Sequence, residues 1–288
     1  MHSVIVDMLT AAAPRSLDEH VRVLHEILQQ VALLGLWRGG LFQRAAFYGG
    51  TALRLLHGLD RFSEDLDFSL LAPDGAFDFT ALSGTLREEL AAFGFDLRVE
   101  TRKPNPNSAI RSAFVKGGTR EQLLVLSVGD ELVRLVQHGK EIKIKLEIDT
   151  DPPPGFETEM RTLFTPLPFS VRAYSLPDLL AGKMHALLCR GWKSRVKGRD
   201  WYDFAWYAGH APHMHLSHLE KRMRQSGNWN EKRPLDEVAW RGLMDVRIAS
   251  LDVEQARDEV IRFVRDPRSL ELWSRDFFRA VARRIEVV

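Results

Sequence analysis

The run Arg61-Phe62-Ser63-Glu64-Asp65-Leu66-Asp67 places two carboxylates two residues apart, where Leu66, Phe68 and Leu70 are apolar. A strand with that period puts both carboxylates on one face, about 7 Å apart along the chain. Two like charges so placed repel each other unless a cation lies between them. Hard oxygens of this kind suit Mg²⁺, which takes one or two carboxylates together with substrate phosphates. Just upstream, Tyr48-Gly49-Gly50-Thr51-Ala52-Leu53-Arg54 reads as a loop opening a helix, where exposed N–H groups attract phosphate. Gly49 and Gly50 permit close backbone approach to a triphosphate because no Cβ intervenes. Arg61 could reach phosphate oxygens bidentately, or pair structurally with Glu64 or Asp60. A phosphate cradle followed by a two-carboxylate strand is what phosphoryl or nucleotidyl transfer needs. Without the glycine turn, the same pair would be the polar face of an edge strand.

These side chains must be held by elements that the periodicity outlines. Leu17, Val21, Leu24, Leu28 and Val31 mark one face of a helix over 17–36, with Ser16 and Glu19 in the form of a capping box. A second helix runs from Phe79 through Leu82, Leu86 and Leu90 to Phe93, and Phe95, Leu97 and Val99 then alternate as a strand. Residues 103–107 form a loop, and 109–140 fit strands or a helix equally. The cleanest strand is 141–149, with Ile142, Ile144, Leu146 and Ile148 on one face and Lys143, Lys145, Glu147 and Asp149 on the other. Asp151-Pro152-Pro153-Pro154-Gly155 ends it and marks a domain boundary. This divides the chain into a first domain over 1–150 and a mainly helical one over 151–288. Ser175 with Asp178 caps a helix to about Arg190, on which Lys183 falls among Leu176, Leu180 and Leu187. A lysine inside an apolar arc either snorkels outward or meets an anion. Beyond it, Asp200 and Asp203 share a helix face, with Arg199 four residues from Asp203. Trp201, Phe204 and Tyr207 fit a core better than a base-stacking platform.

Taken in order, Gly49-Gly50-Thr51-Ala52-Leu53-Arg54, Arg61-x-Ser63-x-Asp65-Leu66-Asp67-Phe68, Lys145-Leu146-Glu147-Ile148-Asp149, Lys183-Met184-His185-Ala186-Leu187 and Lys197-Gly198-Arg199-Asp200-Trp201-Tyr202-Asp203 resemble the AbiEii/AbiGii toxin family of nucleotidyltransferases. The resemblance spans roughly residues 15–210. It implies the polymerase-β-like fold: an α/β nucleotidyltransferase domain with a mixed sheet, followed by a mainly helical domain that completes the active-site cleft. It implies Mg²⁺ held by Asp65, Asp67 and a third carboxylate on a neighbouring strand, assigned to Asp149 with Glu147 as runner-up. In the same frame Gly49, Gly50, Thr51, Arg61 and Ser63 bind the nucleoside triphosphate, with the Thr51 hydroxyl at a phosphate. Lys183 matches a lysine of the family's downstream motif and would meet phosphate, bridged by Asp200. The implied activity is that of a type IV toxin–antitoxin or abortive-infection toxin, encoded with an antitoxin and moving a nucleoside monophosphate to an acceptor such as tRNA. Transfer to protein or to a small molecule is the rival reaction, and a catalytically silent nucleotide-binding module is the rival outside enzymes.

Composition agrees with that class. The 288 residues are 45% hydrophobic and 27% charged, which excludes disordered and fibrous chains. There is no apolar run of membrane-spanning length and no signal-peptide pattern, so a cytoplasmic protein is expected. The single cysteine, Cys189, excludes an internal disulfide framework and fits a packing role. Net charge is only +1, but Arg190, Lys193, Arg195, Lys197 and Arg199 follow one another without an acid, and Lys221, Arg222 and Arg224 follow later. Such a stretch could track a nucleic-acid backbone, or be a solvated face. The histidines at 210, 213, 215 and 218 lack metal-ligand spacing and read as a solvated loop and helix start.

Overall fold

A computed structural model describes residues 2–103, 105, 108–126, 128–190 and 196–288. A seven-stranded mixed sheet is built from β1 (Ala45–Tyr48), β2 (Leu66–Leu70), β3 (Arg98–Thr101), β4 (Ile110–Gly118), β5 (Glu141–Asp149), β6 (Thr158–Leu163) and β7 (Phe169–Tyr174). Their order is β3-β4-β5-β2-β1-β7-β6. Strand β2 lies in the interior, antiparallel to β1 and parallel to β5. Its apolar side chains explain the placement: Leu66, Phe68 and Leu70 are all at most 1% exposed, and Phe68 meets the rings of Phe42 and Phe47. The strict alternation of β5 likewise buries Ile142, Ile144, Leu146 and Ile148. Among the helices, α1 (Ser3–Ala12) precedes α2 (Leu17–Arg38), whose Ser16 cap accepts from the Glu19 amide as its sequence promised.

The remaining helices are α3 (Gly49–His57), α4 (Thr80–Ala92), α5 (Thr119–Val125), α6 (Asp130–Arg134), α7 (Leu176–Cys189), α8 (Gly198–His210), α9 (Leu216–Gln225), α10 (Glu237–Ala249), α11 (Val253–Val260) and α12 (Arg275–Arg284). A two-stranded parallel ribbon pairs β8 (His213–Met214) with β9 (Glu286–Val287). The ambiguous segment 109–140 resolves into β4 followed by two short helices. Phe95 and Leu97 are buried, but the strand itself starts only at Arg98.

The chain forms two compact units. One comprises Met1–Ala52, Glu64–Pro152 and Met160–Ala173; the other comprises Leu53–Ser63, Pro153–Glu159 and Tyr174–Val288. The first holds nearly all of the large sheet, with α2 lying on α4, α5 and β5. The second is mainly helical, with α7 against α8, α9 and α10, and α8 against α11 and α12. Trp201, Phe204 and Tyr207 are buried in it, as their spacing suggested.

Candidate active site

In the first unit, Asp65 directly precedes β2 and Asp67 is its second residue. Asp65 is exposed and Asp67 half-buried. Pairing across the sheet sets Asp67 opposite Tyr48 on β1 and Glu147 on β5, while Asp149 falls opposite Ser69. Residues opposite each other in adjacent strands project to the same face at a strand spacing of about 4.8 Å. Glu147 is therefore the cross-strand neighbour of Asp67, and Asp149 lies one side chain further along that face. Glu147 meets Lys145 Nζ at 2.7 Å and accepts from Ser112 Oγ at 3.2 Å. Asp149 Oδ1 accepts from the Asp151 amide at 3.0 Å, closing the turn after β5.

Gly49 opens α3 with φ of +83°, and a Cβ placed there would stand 2.5 Å from Oδ2 of Asp67. Only glycine lets the turn come this close to the carboxylate. Thr51, expected at a phosphate, is fully buried, and its hydroxyl donates to the Asp65 carbonyl. It thus fastens the glycine turn to the start of the carboxylate strand. The donor set on this face is all oxygen, without imidazole or thiolate among the residues that define it. That chemistry fits a hard divalent cation.

In the second unit, a buried ion network joins three elements. Arg61 Nε meets Asp203 Oδ1 at 2.6 Å and Arg61 Nη2 meets Asp203 Oδ2 at 2.7 Å, the two-pronged geometry natural to a guanidinium and a carboxylate. Lys183 Nζ bridges Asp200 Oδ1 and Asp203 Oδ2, each at 2.7 Å. Two cations are balanced by two acids, the least costly way to bury charge. Burial pulls down the Lys183 ammonium pKa, but Asp200 and Asp203 more than offset it, so the value is raised. Burial likewise favours a neutral Asp203, and the charges of Arg61 and Lys183 reverse this and lower its pKa. Arg61, Lys183 and Asp203 are therefore ionised near neutral pH. The loop carrying Arg61 is fixed as well: Arg54 donates to the carbonyls of Leu59 and Arg61, Asp60 accepts from the Tyr202 hydroxyl at 2.7 Å, and the Phe62 amide donates to the Phe263 carbonyl.

The predicted residues thus fall into two groups, Gly49, Gly50, Thr51, Asp65, Asp67, Glu147 and Asp149 in one unit and Arg61, Ser63, Lys183 and Asp200 in the other. Arg61 pairs with neither neighbour considered for it, and Ser63 is buried. Asp203 is the residue the sequence reading missed. Its signal was present: Lys183 inside an apolar arc could meet an anion instead of snorkelling outward, and two acids three apart on one helix could supply it. Arg199 instead pairs with Glu259 at 3.3 Å. Cys189 is half-buried and its thiol is pushed up to about 11 by burial, which keeps it unreactive. Of the four histidines, 210 and 213 are exposed and 215 half-buried, but His218 is wholly buried rather than solvated. Lys193 and Arg195 lie outside the described residues. Among the described residues no helix is long and apolar enough to cross a membrane.

Two solved structures from Helicobacter pylori share the fold. One is provisionally described as a nucleotidyltransferase: it matches at a TM-score of 0.50 and 17% identity, over 91% of this chain and 92% of its own. The other, JHP933, matches at a TM-score of 0.50 and 17% identity, over 92% of this chain and 91% of its own. No curated protein matches the sequence. The family model described as nucleotidyl transferase AbiEii toxin, type IV TA system, matches residues 31–286. With a match over nearly the whole chain, and with a glycine turn set against an aspartate pair on a mixed sheet, this chain belongs to the AbiEii family of nucleotidyl transferase toxins.

Proposed function

We propose that this nucleotidyltransferase moves a nucleoside monophosphate from a nucleoside triphosphate to an acceptor hydroxyl with the help of Mg²⁺. The observation that carries this reading is the contact of the Gly49 turn with Asp67, on a face shared with Glu147. Asp65 and Asp67 would hold the cation with a third carboxylate from β5. Cross-strand register supports Glu147 as that carboxylate, while Asp149 keeps to the same face one step beyond. When bound, Mg²⁺ supplies positive charge at the phosphates and an oxygen-selective geometry. The acceptor hydroxyl gives its proton to solvent as its oxygen attacks the α-phosphorus, the bond from the α-phosphorus to the bridging oxygen breaks, and pyrophosphate leaves. The amides of the glycine turn orient phosphate oxygens. Lys183, which the family resemblance assigns to phosphate, is held in place by Asp200 and Asp203.

Transfer RNA is the acceptor class we favour, on the family resemblance and the cationic side chains between Arg190 and Arg199 and at Lys221 and Arg222. A cognate antitoxin, acting against a cytoplasmic toxin of type IV or abortive-infection kind, is the expected partner. Incubation with Mg²⁺, each α-labelled nucleoside triphosphate and total tRNA, beside Asp67→Asn, tests the reading. Label on tRNA should fall by more than about 100-fold in the variant, since even indirect disturbance of a metal site costs 10–100-fold. Pyrophosphate release that needs Asp67 without label on tRNA would move the acceptor to protein or small molecules. Nucleotide binding with neither signal would leave a binding module.

A further inference from the structure

Outside the candidate active site, the start of α7, the start of α9 and the segment before β6 bring together Glu157, Asp178 and His215. One ligand atom of each lies within 4.8 Å of the other two. Asp178 Oδ1 stands 3.0 Å from His215 Nδ1, close to the edge of about 3.3 Å expected between two ligands of a tetrahedral Zn²⁺ with bonds near 2.05 Å. The other oxygen of Asp178 accepts from the Glu157 amide at 2.7 Å and from Ser175 Oγ at 2.9 Å. Those two hydrogen bonds orient the carboxylate as outer-shell partners orient metal ligands. Asp178 is fully buried, whereas Glu157 is exposed and His215 half-buried, so the group is open to entry from solvent on one side.

A second imidazole is buried beside this group. His218, on α9 three residues beyond His215, is 0% exposed, and neither ring nitrogen has a hydrogen-bond partner among the described residues. Its ring meets Phe156, the neighbour of Glu157, at 6.0 Å and Tyr174 at 5.9 Å. Native proteins seldom leave a buried imidazole so unsatisfied.

We propose that Glu157, Asp178 and His215 form a binding site for a divalent transition-metal ion of the Zn²⁺ class, with the rest of its shell supplied by water from the exposed side. An imidazole among carboxylates selects such an ion over Mg²⁺, which separates this site from the all-oxygen face of Asp65 and Asp67. A bound ion would replace the proton between Asp178 and His215 and tie the segment before β6 to the first turns of α7 and α9.

The test uses tag-free full-length protein stripped with chelator, without nucleotide. Zn²⁺ is titrated by calorimetry and Co²⁺ by visible absorption, in the intact chain and in Asp67→Asn, His215→Gln and Glu157→Gln. One equivalent should bind to the intact chain and to Asp67→Asn, with a Co²⁺ ligand-field band. Affinity should drop at least tenfold in His215→Gln and Glu157→Gln. Glu157 is exposed, so its variant keeps the fold and isolates the ligand role, and added Zn²⁺ should raise the melting temperature of the intact chain more than that of Glu157→Gln. Absence of stoichiometric binding, or equal affinity in His215→Gln, would overturn the site and leave the Asp178–His215 contact as a hydrogen bond joining two helix starts.

Discussion

At Gly49 the backbone φ is +83° and the space a Cβ needs is taken by the Asp67 carboxylate. Alanine there meets two penalties at once. The left-handed conformation costs about 1–2 kcal/mol, and the carboxylate must move. A displacement of about 1 Å at a reacting centre can cost 100-fold, so Gly49→Ala should lose about that much transfer activity. Circular dichroism on the same sample should show secondary structure retained. Asp203 is the other decisive single residue. Its replacement by alanine leaves Arg61 without its bidentate partner in a fully buried setting and removes one of two acids from Lys183. Loss of a buried partner costs about 3–5 kcal/mol, readable by urea unfolding. Adding Arg61→Met to Asp203→Leu should recover part of that loss, because the stranded charge goes too. The types of the candidate residues were plain in the sequence, since glycines, aspartates and a lysine among leucines each break a pattern. The pairing of Arg61 with a residue 142 positions away was not, because nothing local distinguishes that partner from Asp60 or Glu64.

Helix α8 shows how an element is held in place. A Cβ on Gly198, its first residue, would fall 1.8 Å from the carbonyl oxygen of Ala256 on α11. Backbone on backbone leaves no flexible side chain to yield, so Gly198→Ala should destabilise the chain by about 1–3 kcal/mol, the range for overpacking. Differential scanning calorimetry would read this as a lower melting temperature. Because α8 carries Asp200 and Asp203, the variant should also weaken transfer. Elements whose patterns are strict were legible: α2 from its apolar face, β5 from perfect alternation. Strand β4 was not, because Ala113, Phe114 and Val115 are buried in succession, which erases the two-residue period. Charged groups cover Phe114 instead, with the Lys143 ammonium 4.1 Å from its ring centre. Register was also illegible. The choice between Glu147 and Asp149 beside Asp67 depends on how β2 and β5 slide past each other, and each strand alone fits either answer.

Over the whole molecule, His25, His185 and His218 tie stability to pH, because burial lowers the pKa of each. Burial, reinforced by Arg222 and Arg190, lowers the His185 pKa to about 4, and burial with Arg222 lowers that of His218 to about 4. Above pH 6.5 all three are neutral in the folded and unfolded chain and contribute no pH dependence. Between 6.5 and 4 the unfolded chain takes up protons that the fold excludes, so stability falls as pH falls. Urea midpoints should therefore drop between pH 7 and pH 4.5, and His185→Gln should flatten part of the slope. The way the backbone visits the two compact units has a consequence of another kind. It changes unit five times, after residues 52, 63, 152, 159 and 173. No prefix shorter than 173 residues contains the first unit whole, because β7, whose Ala173 registers with Phe47 on β1, arrives last. On the ribosome Arg61 emerges 142 residues ahead of Asp203, about 7–28 s at 5–20 residues per second. For that interval Arg61 is without Asp203, so the buried ion pair can form only after synthesis has passed residue 203.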